Sequence, residues 1–232
     1  MKKPFYKNVI FYGCLLVGLL LLAALIIPAL GRTAHPASKT LDGANLRQLG
    51  QASIIYAVDH KEYFPQATDV WDYARIIAEA GIINDGTHWQ SRIDPATADT
   101  ARDKIDVLRP ASGNAPRELN PAFRAIKPSV AVALGKLHLG MPSTTPILWT
   151  RGLQPDGTWA PHSPYGTHGG YIMFLAGTMI YYRNLTDDGG QLIDRNGNKT
   201  ANILEALPPG TRIGEYTPTP EEQKLWSTAN SR

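Results

Sequence analysis

The chain has 232 residues, 43% of them hydrophobic and 19% charged, which excludes a disordered acidic or basic tail protein and fits one domain with appendages. Its 21 Gly and 18 Pro point to many turns and few long helices. The formal charge is +3, but Lys2, Lys3, Lys7, Arg32 and Lys39 stand in the first 40 residues without one acid, so the rest is slightly acidic. A nucleic-acid partner needs positive charge on the folded part, so that class is set aside.

Residues 1–8 form a basic head. From Val9 to Leu30 no residue is charged, and a helix of that length reaches about 33 Å, enough for a bilayer core. Lysines before the run place the head in the cytoplasm and residues after about 31 outside, by the positive-inside rule. The length of the run favours a retained anchor over a cleaved signal peptide, although Ala34–Ser38 offers small residues for cleavage. Cys14, the single cysteine, falls inside the run. An intrachain disulfide, a cysteine zinc site and a CxxC pair are thereby excluded. Leu15, Leu19 and Leu22 are the candidate partner contacts on this span.

Residues 31–63 read as a linker and an amphipathic helix, with Leu41, Ala44 or Asn45, Leu49, Ala52 and Ile55 or Tyr56 on its apolar face. A second helix is predicted over Val70–Ile83, with Asp69 as N-cap and Gly81 near its end. The remainder of 64–145 reads as irregular connection with a short helix at Thr100–Leu108. Residues 146–207 turn to β patterning. Ile147-Leu148-Trp149 and Trp159 flank Asp156-Gly157, Tyr171–Leu175 and Met179–Arg183 flank Ala176-Gly177, and Gln191–Ile193 precedes Asn196-Gly197. In the Pro-rich tail, 208–232, Thr219-Pro220-Glu221-Glu222 is a capping box that opens a short helix.

An apolar span, an amphipathic helix, a turn-rich stretch and then antiparallel hairpins give an α+β chain in the order of type IV pilins and type II secretion pseudopilins. Asn45-Leu46-Arg47-Gln48-Leu49-Gly50-Gln51-Ala52, then Tyr56-Ala57-Val58-Asp59 and Tyr63-Phe64-Pro65, resembles the N-L-K-Q-I-G-x-A, Y-A-x-D and Y-x-P pattern of secretion-type pilin-like proteins. His168-Gly169-Gly170 and Phe174-Leu175-Ala176-Gly177 are similar to their H-x-G-G and F-x-D-G hairpin, with Ala176 where the aspartate stands. The resemblance implies a transmembrane helix continuing into an amphipathic helix packed on a small antiparallel sheet. It also implies a non-catalytic subunit of a secretion or pilus system in the bacterial inner membrane, with its C-terminal domain periplasmic. Its partners would be other membrane protein subunits and the lipid bilayer. The chain departs in two further places: neither Gly13 nor Gly18 is followed by Phe, and no acid precedes Asp42. An accessory subunit of a different membrane complex is the alternative these departures favour, and an exported enzyme or ligand-binding module is the third.

Catalytic motifs are absent: there is no G-x-S-x-G, H-E-x-x-H, P-loop or dinucleotide fingerprint. Asp194, Asn196 and Asn198 alternate oxygen donors with Glu205 at the twelfth position, as in a calcium loop, but Lys199 stands where Gly is required. A plain turn is the preferred reading, and no other cofactor is expected. Trp149, Trp159, Tyr165, Tyr171, Tyr181 and Tyr182 read as sheet core before ligand platform. Trp226, on a polar tail helix, is a partner-contact candidate.

Overall fold

A computed structural model describes Leu15, residues 39–97, 104–110 and 117–229, the side chains of 226–229 excepted. The chain divides into two compact units, Met1–Thr40 and Leu41–Arg232. Of the first, Leu15 is helical and about half exposed. The remainder of the span at 9–30, with Leu19 and Leu22, lies outside the described residues. Among those described, no helix is long and apolar enough to cross a membrane.

The second unit is α+β. Helix α1 is described over residues 39–59, shorter than the predicted 41–63, because a turn at residues 60–62 holds Lys61 and Glu62 at positive φ and ends the hydrogen-bond ladder. Its buried face is Gly43, Leu46, Leu49, Gly50, Ser53 and Ala57. The predicted face is rotated from this: Leu49 and Ala52 are buried, but Leu41 is 42% and Ile55 50% exposed. Backbone approach sets the rotation. A Cβ on Gly50 would stand 2.5 Å from Met173 Cγ, so glycine lets the helix lie closer to the sheet than a larger apolar face would.

Helix α2, Val70–Glu79, starts where expected: the Asp69 side chain accepts from the Asp72 amide. It packs against α1, where Tyr73 reaches Ser53, and against the first strand. A short helix α3, Pro121–Arg124, is capped by Asn120. No helix forms over the described part of Thr100–Leu108. Residues 104–108 are extended, with Asp106 bridged to Asp85 and Leu108 to Leu119.

Strands β1, Val130–Leu134, β2, Pro146–Thr150, β3, Gly170–Phe174, and β4, Met179–Tyr182, run as an antiparallel meander. Helix α4, Ile203–Ala206, follows a separate two-stranded hairpin of β5, Leu192–Ile193, and β6, Lys199–Thr200. Strand β7, Arg212–Gly214, then pairs with β1, giving the sheet order β4-β3-β2-β1-β7. Strand β1 lies within the stretch read as irregular, and β7 within the tail. Trp159 does not pair with β2: it bridges Leu153 across a local turn, while both edges of β2 are taken by β1 and β3. The β3–β4 hairpin turns at Ala176-Gly177 as predicted, and β5–β6 at Asn196-Gly197. Helix α5, Pro220–Ala229, opens with the predicted box: the Thr219 amide donates to Glu222 and the Glu222 amide to Thr219 Oγ1.

Candidate functional site

The sheet side chains that meet α1 come from Tyr171 and Met173 on β3 and Met179 on β4. Here the aromatic group divides. Trp149 and Trp159 are core, 0% and 2% exposed. Tyr165, Tyr171 and Tyr181 form an edge-packed trio with ring centroids 5.0 to 6.2 Å apart. Tyr182 packs on Phe174 instead. Gly169 brings the trio together. Its φ of +110° turns the chain where a Cβ would collide with the Tyr182 carbonyl. His168 offers its carbonyl to the Tyr181 hydroxyl at 2.6 Å.

Between this trio, α1 and the loop at 85–94 lies a cavity of about 20 Å³ whose walls mix polar residues, Asp42, His88, Gln90 and Tyr165 among them, with apolar ones such as Leu46 and Val130. A one-turn 3-10 helix, Gly86–Trp89, shapes the loop, with the Asp85 side chain accepting from the Thr87 amide. Its exit is fixed to the sheet: the Ser129 amide donates to the Trp89 carbonyl at 2.8 Å, and the Ser91 amide to Ser129 Oγ at 2.9 Å. The His88 ring meets the Gln48 side chain of α1.

At the cavity, Ser91 Oγ donates to Asp42 Oδ2 at 2.5 Å and the Tyr165 hydroxyl to the same oxygen at 3.0 Å. Burial pushes the Asp42 carboxyl up to about 6, although both hydroxyls pull it down, and the nearby Asp94 charge adds to the rise. Burial and the Asp42 carboxylate push the Tyr165 phenol far above its usual range. Gln90 is only 5% exposed, and neither its side-chain oxygen nor its nitrogen has a hydrogen-bond partner.

Behind the cavity, Arg151 Nη2 donates to Asp94 Oδ1 at 3.0 Å with both side chains buried. Ser129 Oγ donates to Asp94 Oδ2 at 2.6 Å, and Arg151 also reaches the Pro128 and His162 carbonyls. Burial first, then the Arg151 charge, lower the His162 pKa. Glu215, whose pKa burial raises, accepts from the Gly152 amide. Glu222 binds Lys127, Tyr216 and Thr219, which outweigh its burial and bring it down to about 2.

Of the calcium residues, Asp194, Asn196 and Glu205 border one open depression. Asp194 Oδ1 already accepts from the Asn196 and Asn198 amides, both at 2.8 Å, closing the turn. Glu205 accepts from Thr200 Oγ1. Among the described residues, no three His, Cys, Asp or Glu side chains are gathered to hold a metal. Trp226 falls on α5, with its side chain outside the described residues. The Asp42 cavity had no sequence signature: its members lie 49 and 123 positions apart along the chain. The one available signal was a lone acid beside the apolar face of a helix.

No family model matches the chain, and neither does any curated protein or solved structure.

Proposed function

We propose that the protein is a non-catalytic, single-pass subunit of the bacterial inner membrane, anchored by residues 9–30 with its N-terminus in the cytoplasm. Its α+β unit stands outside and assembles with other membrane protein subunits in a secretion or pilus-type system. One observation carries this reading. Helix α1 seats one face on β3 and β4 and carries two exposed apolar pairs on the opposite side, Leu41 with Ala44 and Ile55 with Val58, separated by the exposed Gln48 and Gln51; Ile55 is 50% and Val58 64% exposed. The exposed Ile55 and Val58 pair on an otherwise polar outer face is where a second neighbour would seat. The α1-on-meander arrangement, the His168-Gly169-Gly170 turn and the uncharged run upstream support the pilin-like form of the reading.

A second reading is a fixed accessory subunit of a different membrane complex. The sequence favours it in one respect: no acid precedes Asp42, so a processed filament subunit would bury its ammonium unpaired in the bilayer. Cysteines at Ile55 and Val58, introduced with Cys14→Ser in the full chain, test both readings in native membranes. The pilin-like reading expects a ladder of self-adducts under oxidation. The accessory reading expects one adduct with a different membrane subunit. Both fail if neither cysteine cross-links and alkaline carbonate releases the protein from membranes. Intact mass supplies the anchor's own check, since a product starting beyond residue 34 removes the anchor.

A further inference from the structure

We propose that the cavity between α1 and the 85–94 loop binds one monovalent metal cation of sodium or potassium size, liganded by the Asp42 carboxylate and the Gln90 side-chain oxygen. The proposal is independent of the assembly reading. The cavity of about 20 Å³ accommodates one water-sized occupant. The polar groups in its walls are incompletely paired. Ser91 and Tyr165 both donate to Asp42 Oδ2, and among the described residues no group donates to Oδ1. Gln90, 95% buried by its 5% exposure, has no partner on either side-chain atom. Native proteins seldom leave a buried carboxamide unpaired on both atoms. Asn45 also lines the cavity.

Charge separates a cation from a plain water. Two carboxylates, Asp42 and Asp94, lie in this buried region, and the buried guanidinium of Arg151 is committed to Asp94 at 3.0 Å. Arg92 acts on Asp42 only as the smallest influence. A water would leave Asp42 without a counter-charge, whereas a cation supplies one and takes the Gln90 side-chain oxygen as a ligand. One carboxylate among neutral oxygens suits a single charge; calcium draws six to eight oxygens, commonly with several carboxylates. The groups facing Asp42 are Asp94, Arg92, His88, Tyr165 and Tyr171.

The test uses the full chain in detergent. Thermal unfolding is followed in sodium, potassium and choline chloride at matched ionic strength. Stabilisation that saturates with sodium or potassium but not with choline supports the site. Asp42→Asn and Gln90→Met should each raise the half-saturating concentration roughly tenfold or more, through loss of a ligand. Equal response to choline, or unchanged response in both variants, means the cavity holds water and overturns the proposal. Saturation by calcium alone overturns it as well. Crystals of the unaltered chain grown with thallium(I) give a measurement that does not depend on a variant folding. An anomalous peak between Asp42 and Gln90 is the expected result, and its absence there sinks the assignment.

Discussion

Asp94 and Asp42 sit behind and beside the same cavity and have been given opposite surroundings. Asp94 is fully buried, and its oxygens meet the Arg151 guanidinium, the Ser129 hydroxyl and the Ala96 amide at 2.6 to 3.0 Å. Asp42 meets two hydroxyls on one oxygen, with no cation in contact among the described residues. Hydroxyls satisfy lone pairs but bring no charge, so burial still favours the neutral acid at Asp42 and carries it to about 6. The contrast separates a fixed joint from a responsive one. The Asp94–Arg151 pair ties the 91–97 loop to the end of β2 through a buried ion pair, while Asp42 ties α1 to that loop in a charge state set by the medium.

The largest expected effect comes from breaking the fixed joint. Arg151→Met leaves Asp94 buried without its cation and should cost about 3–5 kcal/mol, read as a lower urea midpoint. A cost under about 1 kcal/mol would erase the distinction between the two carboxylates. The next effect is at Asp42, and its sign is reversed. The unfolded carboxyl titrates near 3.8 and the folded one near 6, so the folded state holds the extra proton between them. Stability contributed by Asp42 is therefore present at low pH and lost as pH rises from about 4 to about 6, staying low above that. Measured in choline buffer, Asp42→Asn should gain about 1–2 kcal/mol at neutral pH and nothing at pH 4, within a ceiling of about 3 kcal/mol from the shift. Taking the difference between variant and parent isolates Asp42 from Glu215, whose raised pKa has the same sign, and from Glu222, whose lowered pKa has the opposite one. A gain that does not change with pH would show that the Asp42 charge is not what burial penalises. The smallest effect is Tyr165→Phe, which removes one donor from an ionised acceptor. It should cost about 1 kcal/mol above pH 6 and less below pH 4, measured by the same urea series.

What could be read from the residues was local chemistry. Asp69 capping α2, Thr219 and Glu222 closing their box, and the turns at Ala176-Gly177 and Asn196-Gly197 each need only a few consecutive residues. Strand β1 was hidden because Val130-Ala131-Val132-Ala133-Leu134 is buried on both faces and so has no alternation to detect. Strand β7 is three residues long in a Pro-rich setting and exists because β1 offers it an edge. The face of α1 was misjudged by counting bulk, when Gly43 and Gly50 are what the sheet receives. The cavity was out of reach for another reason. Asp42, Gln90 and Tyr165 come from three distant segments, and only the tertiary fold gives them a common wall.

The pairing of β7 with β1 has a consequence for how the chain becomes safe in solution. The meander β1 to β4 can close in chain order, but its first strand keeps one open edge until Arg212–Gly214 arrives, near the end of the sequence. That edge belongs to an uninterrupted Val-Ala-Val-Ala-Leu segment, the kind of strand that recruits other chains when its hydrogen-bonding groups are bare. Among the described strands, the one made last thus covers the open edge of the most apolar one. A chain that stopped short of Arg212 would keep most of its core and present an adhesive rim.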